Sequence, residues 1–214
     1  MVVYKFALFI FEEQRGNIVL INVNVLLFPE FETLDAFGPV EVLGCVPGYQ
    51  LHYVSITGGT IISKQGIHVL TENIKETDLS GVLLIPGGQG TRPLVMEPEF
   101  IEILKDIVMQ SKYCLTVCTG SALLAKTKLL DNRKATSNKN ALEWVKSINA
   151  NVHWIDRARW VVDQKYYTSS GISAGIDMAL GFVADRFGIN QAQNIAESIE
   201  YIWNSDPNED RFAK

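Results

Sequence analysis

The stretch Tyr113-Cys114-Leu115-Thr116-Val117-Cys118-Thr119-Gly120-Ser121 decides the fold. An apolar, β-prone run ends at Cys118, and small residues then open a predicted helix over 121–128. This order of strand, cysteine and helix predicts a nucleophile elbow, which places one side chain at the N-terminus of a helix. Free N–H groups and the helix dipole favour a thiolate there. Cys118 is therefore predicted to be a reactive nucleophile rather than a small hydrophobic residue that ends a buried strand.

Predicted strands and helices alternate along the chain on both sides of the elbow. This alternation predicts an α/β fold, a three-layer sandwich around a mainly parallel sheet. Active sites in such sheets lie at the carboxyl ends of the strands, so Asp35, Gly87-Gly88 and Cys118, which all follow predicted strands, are expected to converge. The predicted strands are 18–28, 51–57, 82–85, 113–117, 152–155, 159–162 and 165–168, with a hairpin at 60–63 and 67–70. The predicted helices are 34–43, 99–111, 121–128, one that follows Ser173 and stops at Gly188, and 191–203.

Length and composition favour one domain. The chain has 214 residues, 47% of them hydrophobic and 20% charged, with a net charge of −5. We place the domain at 17–205, between an N-terminal extension at 1–16, read as an extra strand or a loosely attached segment, and a frayed acidic tail at 206–214. An acidic chain without a basic cluster is not expected to bind nucleic acid, and no apolar run reaches the ~20 residues that span a membrane. Three cysteines without a regular framework predict a cytoplasmic protein without a metal site.

A glycine-rich turn, Pro86-Gly87-Gly88-Gln89-Gly90, follows the predicted strand 82–85. Glycines let the backbone approach a ligand closely and direct N–H groups at it. The Gly88 amide and the Thr119 amide are therefore predicted to form an oxyanion hole, with Gly87 and Gly120 as further substrate-binding positions.

Asp35 lies among apolar residues at the start of the predicted helix 34–43. Two roles fit this position. The carboxylate is either a charge that stabilises the helix N-terminus by a few tenths of a kcal/mol, or a buried carboxyl beside the thiol. In the second case burial raises its pKa and lets it donate a proton at neutral pH. The sequence pattern leaves both roles open.

Four motifs occur along the chain in this order: Leu34-Asp35-x-x-Gly38-Pro39-x-Glu41-Val42-Leu43, Pro86-Gly87-Gly88-x-Gly90, Val117-Cys118-Thr119-Gly120-Ser121 and Thr168-Ser169-Ser170-Gly171-Ile172-Ser173-Ala174-Gly175-Ile176-Asp177. Together they resemble the ThiJ/PfpI family of the class I glutamine amidotransferase-like superfamily. The resemblance covers about residues 18–203 and is strongest to the isonitrile hydratase-like branch. It implies a flavodoxin-like sandwich, a homodimer, Cys118 as the nucleophile, Asp35 hydrogen-bonded to it, and a catalytic role for Thr119.

The chain departs from other branches of that family in its histidines. Thr119 follows the cysteine where peptidases and amidotransferases of the family often have histidine, and Asn138 replaces the imidazole of a Thr-Thr-His-like string. The chain has three histidines, His52, His68 and His153, each predicted to be structural or exposed. A Cys–His peptidase mechanism is therefore disfavoured, and a mechanism that pairs cysteine with a carboxylic acid fits better.

The resemblance, taken with these residues, implies a cysteine-dependent, hydro-lyase-type enzyme that hydrates small isocyanides to N-substituted formamides, with no metal and no organic cofactor. Cys118 would attack the isocyanide carbon, and Asp35 would deliver a proton and then activate water. Thr119 and Gly88 would position the intermediate. Two alternatives stay open: glyoxalase or deglycase chemistry on a 2-oxoaldehyde, and a non-enzymatic sensor whose cysteine oxidises to a sulfinate or whose pocket binds a ligand.

Overall fold

A mainly parallel sheet of eight strands forms the centre of the protein, in a computed structural model that describes residues 20–213. The ten strands are β1 (Ile21–Leu26), β2 (Tyr49–Ser55), β3 (Gly59–Ile62), β4 (His68–Asn73), β5 (Val82–Ile85), β6 (Tyr113–Val117), β7 (Lys134–Ala135), β8 (His153–Trp154), β9 (Trp160–Asp163) and β10 (Tyr166–Ser169). The sheet has the order β3-β4-β2-β1-β5-β6-β10-β9, and β7 pairs with β8 separately. Within the sheet, the outermost strand at each edge is antiparallel to its neighbour and every other pair is parallel.

The middle of the sheet is buried on both faces. Every residue of β5 is apolar and buried, and the last four residues of each of its neighbours, β1 and β6, are buried as well. Such continuous apolar runs are what parallel strands need when helices cover both faces. Because β1, β5 and β6 are adjacent and parallel, their carboxyl ends lie side by side at one end of the sheet, and the site residues follow these strand ends.

Helices pack on the sheet in two groups. The helices are α1 (Thr33–Gly44), α2 (Thr91–Leu94), α3 (Pro98–Gln110), α4 (Gly120–Lys126), α5 (Leu142–Ile148), α6 (Ala174–Phe187) and α7 (Ile189–Ser198), with a 3-10 turn at Ile74–Glu76. Helix α6 contacts both α1 and α7, and α4 contacts α2, α3 and α5. None of the helices between residues 20 and 213 is long and apolar enough to cross a membrane.

The predicted fold class is confirmed: the protein is an α/β sandwich with a mainly parallel sheet and a nucleophile elbow. The predicted strands 82–85 and 113–117 have those bounds, and the predicted hairpin is β3–β4 at the sheet edge. The predicted extension 1–16 and the first residues of the predicted strand 18–28 lie outside the described residues.

The expectation of a frayed acidic tail is wrong. Residues beyond α7 pack back on the domain: the amides of Arg159 and Asp210 donate to Pro207 O and Arg157 O at 2.8 and 2.7 Å. Asp210 itself is only 3% exposed. The tail therefore belongs to the folded domain up to residue 213, because its backbone groups find partners there.

Two further differences lie under this tail. The last helix ends at Ser198 rather than at 203, because the Trp203 indole donates to Asp177 O at 3.1 Å and holds the chain on α6. Arg159, at the start of the predicted strand 159–162, is buried and pairs with the buried Asp177 carboxylate at 2.6 Å. Because the two residues are 18 positions apart, one on a strand and one on a helix, no pattern in the sequence indicates that they pair.

Candidate functional site

The elbow between β6 and α4 holds Cys118 in an unusual backbone conformation. Its φ is +57°, the left-handed region that a residue with a side chain seldom adopts. The surrounding hydrogen bonds fix this conformation: the Cys118 N–H donates to Ser170 O at 3.0 Å, and the Cys118 carbonyl accepts from the hydroxyls of Ser121 and Ser137 at 2.9 and 2.8 Å. Strain held by so many contacts is typical of functional positions.

Cys118 lines a pocket, and 7% of the surface of this residue is exposed. Burial and the negative charge of Asp35 raise its pKa, while hydrogen bonds from the Thr119 backbone N–H and the Asn138 side chain lower it. The raising effects are larger. The expectation that the helix N-terminus makes Cys118 a low-pKa thiol is therefore wrong for the isolated pocket, because burial outweighs the N–H groups. The sulfur depends on a proton acceptor or a cation nearby for its reactivity.

Asn138 is a site residue for which the sequence analysis assigned no role. Its side-chain oxygen accepts from the backbone N–H groups of Asn140 and Ala141 at 2.9 and 3.2 Å. This fixes the amide orientation, so the NH₂ group is the end that interacts with Cys118. The available signal was its place in Thr136-Ser137-Asn138, at the position of the missing histidine.

Asp35 is fully buried in the first turn of α1. The Gly87 N–H donates to its Oδ2 at 2.9 Å, and its carboxyl interacts with the Cys118 thiol. The other carboxyl oxygen of Asp35, Oδ1, is buried and has no hydrogen-bond partner among the described residues. Burial is the main cause that raises the pKa of Asp35, to about 8. Of the two roles left open by the sequence, the structure therefore supports the buried acid that is protonated at neutral pH.

This raised pKa predicts how stability depends on pH. Between about pH 4 and pH 8, Asp35 is protonated in the folded protein but ionised in the unfolded chain. Over this range the free energy of unfolding therefore falls as pH rises. Asp35→Asn removes this loss, so its free energy of unfolding relative to the wild type should rise by about 4 kcal/mol between pH 5 and pH 8, at 1.36 kcal/mol per unit. Urea denaturation at four pH values measures it. Glu41→Gln, which removes an exposed acid from the same helix, is the control, and parallel curves for wild type and Asp35→Asn would refute a buried protonated Asp35.

The glycine turn packs directly against the elbow. A Cβ atom on Gly87 would lie 2.6 Å from the Thr119 amide nitrogen and 2.8 Å from Asp35 Oδ2, and one on Gly120 would lie 2.5 Å from Ile85 O. Neither glycine lines the pocket. The prediction that Gly87 and Gly120 contact substrate is therefore not supported, and their lack of a side chain instead allows β5, β6 and α1 to approach one another.

The predicted oxyanion hole is only partly formed. The Gly88 N–H donates to Thr119 Oγ1 at 3.1 Å, so it is not free to bind an anion. Thr91 Oγ1 donates to the same Thr119 oxygen at 3.1 Å. The Thr119 hydroxyl thus holds the glycine turn and α2 in place, whereas its backbone N–H is directed at the Cys118 sulfur. Among the described residues, the donors that face the sulfur are this N–H and the Asn138 amide.

Gly87→Ala should disrupt the site. The added methyl group meets backbone and a buried carboxyl, which have no room to move, so the expected loss of stability is about 2–3 kcal/mol. Gly59→Ala is the matched control, since nothing lies within 4 Å of its Cβ position and only its φ of +87° is strained. Thermal unfolding of both variants measures the difference. An equal loss in the two variants would show that close packing at Gly87 is unimportant.

The pocket above Cys118 has a volume of about 280 Å³. Its lining is mostly polar and contains no histidine. The described histidines lie elsewhere, with His52 paired to Glu72 at 3.2 Å and His68 and His153 exposed, as predicted. The residues that line the pocket are Glu32, Lys64, Gly88, Gln89, Arg92, Cys118, Thr119, Asn138, Asn140, Ala141 and Ile172.

Comparison with known proteins identifies relatives with the same architecture. The model of the DJ-1/PfpI family matches residues 21–185. Isonitrile hydratase from Pseudomonas putida is 30% identical over 182 residues, which cover 85% of this chain and 78% of that protein. A crystal structure of a ThiJ/PfpI family protein from Pseudomonas syringae superposes with a TM-score of 0.74 at 26% identity, covering 91% of this chain and 82% of the other. Drosophila melanogaster DJ-1beta has a TM-score of 0.73 at 18% identity, covers 86% of this chain and is itself covered in full, and it shares the fold.

A regulator is also among the relatives. The HTH-type transcriptional regulator CdhR from Pseudomonas aeruginosa is 26% identical over 80% of this chain, and the chain spans 52% of that regulator's length. Similarity therefore extends to a named enzyme and to a named regulator, and the chemistry of the pocket has to distinguish them.

Proposed function

Because this chain belongs to the DJ-1/PfpI family, we propose that it is an enzyme that adds water to isocyanides, with Cys118 as the nucleophile and N-substituted formamides as the products. The P. putida relative named isonitrile hydratase supports this reaction over others of the family. A homodimer in the cytoplasm, as expected from the sequence, is part of the same proposal.

One observation carries the proposal: a carboxyl that is protonated at neutral pH lies beside a buried, strained cysteine in a pocket without histidine. The raised pKa of Asp35, about 8, makes it a proton donor in the range where enzymes work. Isocyanide hydration needs a proton at the same carbon that the sulfur attacks. Acyl transfer by a Cys–His pair needs an imidazole, and none lines the described pocket.

Both groups start protonated at neutral pH, since their pKa values are raised. Asp35 gives its proton to the terminal carbon of the isocyanide, and the sulfur adds to the same carbon while the Asp35 carboxylate takes the thiol proton. The product is a thioimidate on Cys118. Because the Thr119 N–H and the Asn138 amide both interact with the sulfur, they stabilise the negative charge that develops on it as its proton leaves.

Hydrolysis returns the enzyme to its starting state. Asp35 gives its proton to the nitrogen and takes one from water as the oxygen adds to the thioimidate carbon. The carbon–sulfur bond then breaks as Asp35 gives its proton to the sulfur and takes the hydroxyl proton, which restores the thiol and the carboxylic acid. The net change is the addition of one water molecule to one isocyanide.

The test is a side-by-side assay of the wild-type protein with a panel of small isocyanides and with methylglyoxal. Mass spectrometry of the mixtures should show formamides from the isocyanides, well above the rate without enzyme. Loss of methylglyoxal without formamide would replace the proposal with 2-oxoaldehyde chemistry. If neither substrate changes, a sensor of the same family becomes the better interpretation, and peroxide titration with intact mass of Cys118 would test it.

A further inference from the structure

The pocket above Cys118 contains an arginine whose position is fixed on two sides. Arg92 lies in α2, and its guanidinium carbon is 3.9 Å from the centroid of the Trp144 ring. Its NH1 donates to Thr91 Oγ1 at 3.1 Å. The other N–H donors of the guanidinium have no hydrogen-bond partner among residues 20–213, so they are available to a ligand. Arg92 is half-buried and lines the same pocket as the sulfur.

The other charges of the pocket do not neutralise Arg92. Lys64 pairs with Glu32 at 3.4 Å, and Gln65 also donates to Glu32, so this carboxylate is already bound. Asp35 is protonated at neutral pH. Among residues 20–213, no carboxylate forms an ion pair with Arg92. An arginine without a carboxylate, half-buried beside a nucleophile, is suited to bind an anionic group of a ligand, since its fork matches a carboxylate in two parallel hydrogen bonds.

We propose that Arg92 binds the carboxylate of the substrate, so that the preferred substrates are small isocyanides with a carboxylate near the isocyano group. This inference rests on the proposed function for the reaction, but the anion site stands on the contacts of Arg92 alone. A pocket of about 280 Å³ with a polar lining suits a small polar molecule better than a large apolar one. A carboxylate held by Arg92 would orient the isocyano carbon toward Cys118, which lines the same pocket.

The first arm of the test measures binding without turnover. N-formylglycine, the product expected from isocyanoacetate, and N-formylglycinamide, its neutral counterpart, are titrated into the wild type and followed by NMR. We expect the carboxylate to bind at least tenfold more tightly than the amide, a difference of about 1.4 kcal/mol, because its hydrogen bonds with the guanidinium join two charged groups. Equal affinities in the wild type would overturn the inference.

Variants identify the cation responsible. Arg92→Gln should reduce the preference for the carboxylate to within about threefold, and Arg92→Lys, which keeps the charge but not the fork, should give an intermediate preference. Lys64→Gln is the matched control, since Lys64 is the other cation of the pocket and is paired with Glu32. A preference lost in Lys64→Gln and kept in both Arg92 variants would assign the anion site to Lys64 and overturn the role of Arg92.

The second arm separates this inference from the proposed function. Isocyanoacetate and its methyl ester differ in one negative charge, and kcat/KM for the acid should exceed that for the ester in the wild type and not in Arg92→Gln. If both are hydrated at equal rates, the anion site is refuted and isocyanide hydration stands. If neither is hydrated while N-formylglycine still binds through Arg92, the anion site stands and the proposed reaction is refuted.

Discussion

Replacing Cys118 by Ser is expected to lower kcat/KM for isocyanide hydration by about ten-thousand-fold or more, since the bond to carbon forms on the sulfur. A serine hydroxyl at the same buried position has a far higher pKa than a thiol and receives no base in this pocket. Formamide production under identical conditions measures the loss.

Cys45→Ser is the control for this prediction. Cys45 is an exposed cysteine at the end of α1, outside the pocket, and its replacement should leave turnover within about twofold of the wild type. Unfolding curves of both variants exclude loss of structure as the cause. Full turnover by Cys118→Ser would refute nucleophilic catalysis by this residue.

Asp35→Asn is expected to lower kcat by about a hundred- to ten-thousand-fold, the range that general acid–base catalysis contributes. The amide has the shape of the protonated carboxyl, and its oxygen can still accept from the Gly87 N–H. It cannot release a proton to the isocyanide carbon or take one from water. The expected result is therefore a folded, substrate-binding and nearly inactive protein that is more stable than the wild type at pH 8.

Glu41→Gln again serves as the control, because it removes an exposed acid of the same helix and should leave kcat unchanged within about twofold. If Asp35→Asn kept more than a third of the wild-type kcat, Cys118 could still be the nucleophile, but the proton would have to come from another group.

The fold was predictable because its signals are local. Continuous apolar runs at 82–85 and 113–117 identify buried parallel strands, and the elbow follows directly from the residues after the second of them. Short elements were missed for the opposite reason. Strand β7 has two residues and α5 has seven, so neither is long enough to show a period of two or 3.6 residues.

Site residues that stand within a sequence motif could be predicted. Those that only the fold brings into the pocket could not. Cys118 and Asp35 each stand in a motif, and the structure brings their side chains together. Asn138, in the loop before α5, is marked in the sequence only by its place at the missing histidine, and no pattern marks the approach of Arg92 from α2 to the same pocket. The pKa of Cys118 was misjudged because burial depends on the packing of α1 and α4 around the thiol, whereas the helix N-terminus alone can be read from the motif.

The central claim is that an isocyanide becomes covalently attached to Cys118 before water enters. The direct test mixes the wild-type protein with excess isocyanide, quenches it with acid within one turnover, and maps the peptides by mass. The account predicts that the peptide containing Cys118 gains the mass of one whole isocyanide, with no leaving group lost, and that this gain disappears once the substrate is consumed. Formamide produced over many turnovers while the Cys118 peptide stays unmodified at every time point, or an adduct on another residue, would contradict it.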